Sequence, residues 1–290
     1  MSRPVMFNVR LSKSESDEWL DLLDEVSIVK IRDRPLAKQF LSLPETISFV
    51  STVKNQIIGG TTIYRDRARL SMVLVSVAVK ERYRDSAAYQ IIKTSLPFFR
   101  TVAIRDVDVL ISQDGDSDNI GFPLSFEINP WTSSIISKIG FNRKASLQRY
   151  SFEITDKRDF TFKWDDRVDL KGAKELLWDQ SERLGLANSL VWAARDFAEN
   201  CGSLLTSTID GKLAAVAGTW QRGESLVVTP FVTNPDLIEW RTAARAIIQK
   251  GVKQLHFPIV GIGQLDLIEE IKELANITSA AKLVLMRKNL

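Results

Sequence analysis

A single cysteine, Cys201, and a single histidine, His256, are all that this chain of 290 residues holds of those two residue types. One cysteine excludes an intramolecular disulfide, which fits a reducing compartment. The two side chains cannot build a His/Cys metal cluster, and no group of acids stands in for one. No apolar run approaches the roughly 18 residues that a membrane span requires. The opening residues, MSRPVMFNVRL, lack the apolar core of about 7–15 residues that a signal peptide carries, so a cytoplasmic location is expected. An excess of one charge is also missing. Lys+Arg number 39 against 36 Asp+Glu, a net +3. That is too small and too dispersed to mark a nucleic-acid protein, though it suits a modest anionic ligand. Neither a membrane nor a nucleic-acid partner is expected.

What remains is an ordinary globular composition, 44% apolar and 26% charged, in which one order of elements occurs twice. In the first half a short strand over 5–11 precedes helices over 14–26 and 34–41. A hairpin then turns at Lys54-Asn55-Gln56, and MVLVSVAV reads as a buried strand. A helix from the following turn, the strand VDVLIS, the helix WTSSIISKIGF closed by Gly140 and the strand LQRYSFEI complete the half. The second half repeats two helices, a hairpin turning at Asp210-Gly211, the strand SLVVTPFVT, the helix IEWRTAARAIIQKG, then strand, helix and strand. STVKNQIIGGTTIYR aligns with STIDGKLAAVAGTWQ, and YRDSAA with WRTAAR. The expected class is therefore α/β, a mixed sheet with helices on both faces, in tandem domains 1–155 and 156–290. The charged stretch EITDKRDFTFKWDD joins them.

Glycine is missing where it is most expected. Between the strand ending at Val79 and the next helix stands KERYRDSAAY, with no glycine in the turn. A helix N-terminus presents unpaired backbone N–H groups and a partial positive charge, which together suit a pyrophosphate. Arg82 and Arg84 would add charge, and the small Ser86, Ala87 and Ala88 would let a phosphate approach the backbone.

In Val79-Lys-Glu-Arg-Tyr83-Arg84-Asp85-Ser86-Ala87-Ala88-Tyr89 the chain resembles the GNAT superfamily of acyl-CoA-dependent N-acyltransferases, as two tandem GNAT-like domains. That family carries Val-x-x-x-Tyr-Arg-Gly-x-Gly-x-Gly/Ala, whose amides hold the pyrophosphate of acetyl-CoA. Tyr83 and Arg84 match, while the glycines are replaced by Asp85, Ala87 and Tyr89. The second copy, Trp240-Arg241-Thr242-Ala243-Ala244, keeps the arginine. The later signature, Asn followed by a helix ending in Lys-x-Gly-Phe, is met by Asn129, Lys138, Gly140 and Phe141. Only a faint echo, IKELANI, exists in the second half.

The resemblance implies acetyl-CoA as co-substrate, a small-molecule or protein amine as acceptor, and the better acyl-CoA site in the first half. Backbone N–H around Val75 and Val77, with Val79 ending the strand, would polarise the thioester. Arg84→Glu would then weaken acetyl-CoA binding more than Arg241→Glu. The position of the family's proton-donating tyrosine is Ile136, so no catalytic acid is assigned. The alternatives are a binding or scaffold protein that keeps the fold without turnover, and nucleic-acid binding through the basic run Arg65–Arg69. Asp114, Asp116 and Asp118 would lie where acceptor amines enter and attract a cationic one. Cys201 and His256 could form a nucleophile–base pair. However, His256 lies in an apolar strand and Cys201 stands at a helix end before Gly202, and both read as structural.

Overall fold

The computed structural model describes residues 6–12, 15–66, 70–95, 104–113, 120–155, 162–248 and 252–290. Residues Arg67–Arg69 of the basic run, the aspartates 114, 116 and 118, and residues 156–161 of the charged joint lie outside the described residues. The chain forms two compact units, Met1–Ala145 with Leu283–Leu290, and Ser146–Lys282.

In the first unit β1 (Phe7–Arg10), β2 (Thr46–Val53), β3 (Gln56–Asp66), β4 (Ser71–Val79) and β5 (Asp106–Ser112) follow one another across a mixed sheet. Only β4 and β5 pair in parallel among these neighbours. The β2–β3 turn places Lys54 and Asn55 at positive φ, the conformation that a tight hairpin demands. Helix α1 (Ser16–Val26) buries Trp19, Leu20, Leu22 and Leu23 along one stripe. Helix α2 (Arg34–Ser42) starts at Asp33, whose carboxylate accepts the N–H of Leu36 at 3.0 Å. Helices α3 (Arg84–Ser95) and α4 (Ser133–Ile139) follow the turn and the second signature, and Gly140 ends α4 at φ 102°. Neighbouring strand residues point to opposite faces. Gly59 lies under Ile91 of α3 and Gly60 under Trp19 of α1, where a Cβ would come within 2.8 and 2.9 Å of those side chains. The glycine pair thus lets helices close on both faces of one strand.

The second unit repeats the plan. Helices α5 (Leu170–Ser181) and α6 (Asn188–Cys201) precede β8 (Ser203–Ile209), β9 (Lys212–Arg222) and β10 (Ser225–Thr233). Helix α7 (Trp240–Ile247), β11 (Gln254–Val260) and α8 (Leu265–Lys272) follow. Asp210 and Gly211 take positive φ in the β8–β9 turn, as their sequence requires. Ala243, Ala244, Ile247, Leu267 and Ile271 pack with Leu255 and Phe257 in one buried cluster.

The last strand of each sequence copy is exchanged. Residues 148–153 of β7 (Asn142–Ile154) pair antiparallel with β11 of the second unit. Residues 283–289 of β12 (Ala275–Asn289) pair antiparallel with β5 of the first. The division expected at 155/156 follows the two sequence copies, whereas the compact units follow this pairing. Arg287 stands opposite Asp108 and grips its fully buried carboxylate through Nε at 2.7 Å and Nη2 at 2.8 Å. Lys288 donates to the Ile139 carbonyl at the end of α4 at 2.6 Å.

Candidate functional site

At the turn that raised the phosphate question, helix α3 does start with Arg84-Asp85-Ser86-Ala87-Ala88, but an extra tight turn precedes it over Glu81–Tyr83. The N–H groups of Tyr83 and Arg84 are consumed there by the carbonyls of Lys80 and Glu81. Ala87 and Ala88 do not face a ligand. They are buried in the cluster with Val77, Val79, Ile91 and Ile92. Their small size lets helix and sheet approach. Arg82 and Asp85 are exposed, with Arg82 over the ring of Tyr83, and Ser86 and Tyr89 are exposed too. The Arg84 guanidinium lies over the Trp131 ring at 5.1 Å, with the Glu81 carboxylate 3.7 Å away. Asn129 donates through Nδ2 to the Val26 carbonyl at the end of α1, at 3.3 Å. It therefore works as a tie between elements. Ile136 is fully buried core.

Strand β4, expected to carry the N–H groups around Val75 and Val77, is irregular at its middle. Thr62 pairs with Ser76 and Ile63 with Leu74, so Val75 is an extra residue forming a bulge. The parallel pairing of β4 with β5 ends at Leu74–Val109, while both strands run on. The edge of β5 that β4 leaves is taken by the short strand β6 (Glu127–Ile128), paired at Leu110 and Ile111. The other edge of β5 holds β12 throughout, so β6 must lie on the β4 side. The segment before it is firmly seated. Phe122 and Phe126 pack on Phe40 of α2 with ring centroids 5.4 and 5.7 Å apart, and the Phe122 N–H donates to the Lys30 carbonyl at 2.9 Å. The edge of β5 beyond Val109 is thus occupied by the first unit's own chain.

The second unit has the same bulge without the filling. Val228 pairs with Thr219 and Phe231 with Ala217, so an extra residue sits at Thr229-Pro230. The β10–β11 pairing ends at Val227–His256, and no strand among the described residues takes the edge of β10 beyond it. A pocket opens there against Thr229, Pro230 and Phe231. Leu186 and Ala187 of the α5–α6 connection, Leu190 and Val191 of the first turn of α6, and Ile259 of β11 complete its wall. The buried Gln264 holds this end of the sheet. Its Nε2 donates to the Phe231 carbonyl at 2.6 Å, and its Oε1 accepts the Gly261 N–H at 3.0 Å. The N-terminus of α7 has no side-chain cap and no acid in its first turn. Arg241 beside it is exposed, 3.7 Å from Glu270.

The sequence reading missed Gln264, because its role depends on a strand 33 residues away. It also missed the pocket, whose residues carry no chemical motif. Cys201 and His256 have separate structural settings. Burial pushes the Cys201 thiol up, away from the reactive thiolate, and His256 Nδ1 contacts Ser151 Oγ at 2.9 Å. Among the described residues no group of His, Cys, Asp and Glu could hold a metal, and no helix is long and apolar enough to cross a membrane.

Comparison with solved structures shows the GNAT fold. A Pyrococcus horikoshii protein with an unproven acetyltransferase assignment superposes at TM-score 0.64 and 13% identity, over 98% of this chain and 89% of that one. A GCN5-related N-acetyltransferase from Sphaerobacter thermophilus gives 0.60 at 9% identity, covering 98% and 95%. A tandem GNAT protein from the clavulanic acid biosynthesis pathway gives 0.57 at 10%, covering 98% of each chain. No family model and no curated sequence matches. The mixed α/β architecture is that of a tandem GNAT protein, and at these identities the likeness is one of fold.

Proposed function

We propose that this protein is an acyl-CoA-dependent N-acyltransferase, with acetyl-CoA as the simplest donor and its transfer site in the second unit. The observation that supports this reading is the edge of β10 beyond Val227, at a bulge, which no strand among the described residues takes, within a fold whose solved relatives include N-acetyltransferases. In the GNAT pattern a strand N–H polarises the thioester carbonyl and helix amides hold the pyrophosphate. The α7 N-terminus, whose exposed N-cap residue Glu239 makes no side-chain cap, and Arg241 suit that role better than α3, where the preceding turn consumes two amides. The first unit does not fit an extended acyl-CoA, because β6 lies where the ligand would run. It serves as scaffold.

The acceptor is an amine carried by a small molecule or a protein. Its nitrogen attacks the thioester carbon, forming the C–N bond, and collapse of the tetrahedral intermediate breaks the C–S bond. The ammonium proton passes to water and the thiolate takes one from water, since no titratable group lines the pocket.

Thermal melting tests the reading. Acetyl-CoA at about 100 times its dissociation constant is expected to add about 2.7 kcal/mol of stability. Arg241→Glu should remove that gain by placing a like charge beside the pyrophosphate, and Arg84→Glu should leave it. The reverse result would return the site to the first unit. No gain with acetyl-CoA or CoA on the wild-type protein would leave a non-catalytic scaffold as the better reading.

A further inference from the structure

We infer that Gln264 is a positioning residue for the transfer: it holds the Phe231 backbone so that the Phe231 N–H is aimed at the thioester carbonyl. The inference rests on the transfer reading above, which supplies the thioester.

Two prolines leave this edge of β10 without a ladder. Gln254 of β11 donates its N–H to the Glu224 carbonyl at 3.0 Å. Alternate residues of β11 therefore turn their backbone groups toward β10, and the next two are His256 and Pro258. Pro258 has no N–H to give, so the pairing stops at Val227–His256. Pro230 in the bulge lacks an N–H as well, and Phe231 is the first residue past it with one to offer.

The direction of that donor follows from its carbonyl. A strand residue sends its N–H and C=O to the same edge, because an antiparallel pair exchanges both bonds at once. The Phe231 carbonyl is on the β11 side, where Gln264 Nε2 donates to it at 2.6 Å. The opposite edge agrees. Asn234 donates to the Ala214 carbonyl of β9 at 2.8 Å, and three steps along a strand reverse the edge. The Phe231 N–H thus leaves β10 on the edge that no strand among the described residues takes.

Gln264 spans a gap that ladder bonds would otherwise close, and its base is fixed. Its Oε1 accepts the Gly261 N–H at 3.0 Å, which makes its nitrogen the atom at the Phe231 carbonyl. Gly263 donates to the Leu184 carbonyl at 3.1 Å, and a Cβ on Gly261 would stand 2.1 Å from that same oxygen. Gln264 is buried, so water does not compete for its bonds. Turning Phe231 away from the edge breaks a buried hydrogen bond. An N–H aimed in advance needs no reorganisation as charge develops on the thioester oxygen.

Difference infrared spectroscopy of acetyl-CoA labelled with ¹³C at the thioester carbonyl, bound to the full-length protein, reads this polarisation. On the wild-type protein the carbonyl stretch is expected below that of free acetyl-CoA. Gln264→Met keeps a similar side-chain length without the hydrogen bonds and should lose most of that displacement. Its affinity for CoA, which has no thioester, should stay unchanged by calorimetric titration. A displacement in Gln264→Met equal to the wild type overturns the role of Gln264 and leaves the transfer reading in place. So does bound acetyl-CoA whose stretch is not displaced on the wild-type protein. Failure of acetyl-CoA and CoA to bind the wild-type protein overturns both readings. If Gln264→Met fails to fold, nuclear magnetic resonance of the wild-type protein decides. The Phe231 amide proton and the Gln264 side-chain amide protons should move more with acetyl-CoA than with CoA, and equal movement overturns the inference.

Discussion

Replacing Arg287 with alanine is expected to destabilise the first unit by about 3–5 kcal/mol, the range for removing one partner of a buried ion pair. Its guanidinium holds both oxygens of Asp108, a carboxylate with no exposed surface, through bonds of 2.7 and 2.8 Å. The two residues stand directly opposite each other where the last strand joins β5. Loss of the fork therefore leaves a buried charge without its strongest donors and loosens a strand at the same time. The double change Asp108→Leu with Arg287→Met should recover most of the loss, because an apolar pair of similar volume avoids the desolvation penalty. Urea denaturation of the three proteins checks this. A double variant as unstable as the single one would show that the strand is lost for another reason.

Trp19→Ala should cost a similar amount, about 3–5 kcal/mol, because a large buried ring leaves a cavity that the sheet cannot collapse to fill. Trp19 has no exposed surface and lies on Gly60, and its Nε1 donates to Thr62 Oγ1 at 2.9 Å. Thr62 Oγ1 also meets Ser48 Oγ at 2.9 Å, so the hydroxyl keeps a partner when the indole is lost. Trp19→Phe should accordingly cost much less, about 1–2 kcal/mol for the hydrogen bond and the lost ring area. A Phe variant as unstable as the Ala variant would mean that the hydrogen bond, and not packing, dominates at this position.

Local signals were legible wherever the physics is local. Lys54-Asn55 and Asp210-Gly211 turn because those residues tolerate positive φ, and Gly140 ends its helix for the same reason. The stretch Val79–Tyr89 and the later Asn129, Lys138, Gly140 and Phe141 carried enough pattern to reach the GNAT resemblance, and superposition bears the fold out. The details of the site were less legible. Ala87 and Ala88 are small in the sequence for either of two reasons, close phosphate approach or close helix packing. Their burial beside Val77 and Ile91 shows the packing role, which the sequence alone could not single out.

The sequence by itself determined which segments are strands and helices, that their order occurs twice, and that thiol–imidazole and metal chemistry have little to work with. These follow from side-chain period, turn chemistry and composition, each readable within a short window. The tertiary structure alone decided which edges the strands complete. β7 has the same apolar alternation whichever sheet it joins, and its partner β11 comes about a hundred residues later. The same holds for β6, two residues long, which takes the edge of β5 beyond Val109, while no strand among the described residues takes the matching edge of β10. Strand pairing is a long-range choice made by backbone hydrogen bonds that every residue except proline can offer, so side-chain identity leaves it unmarked.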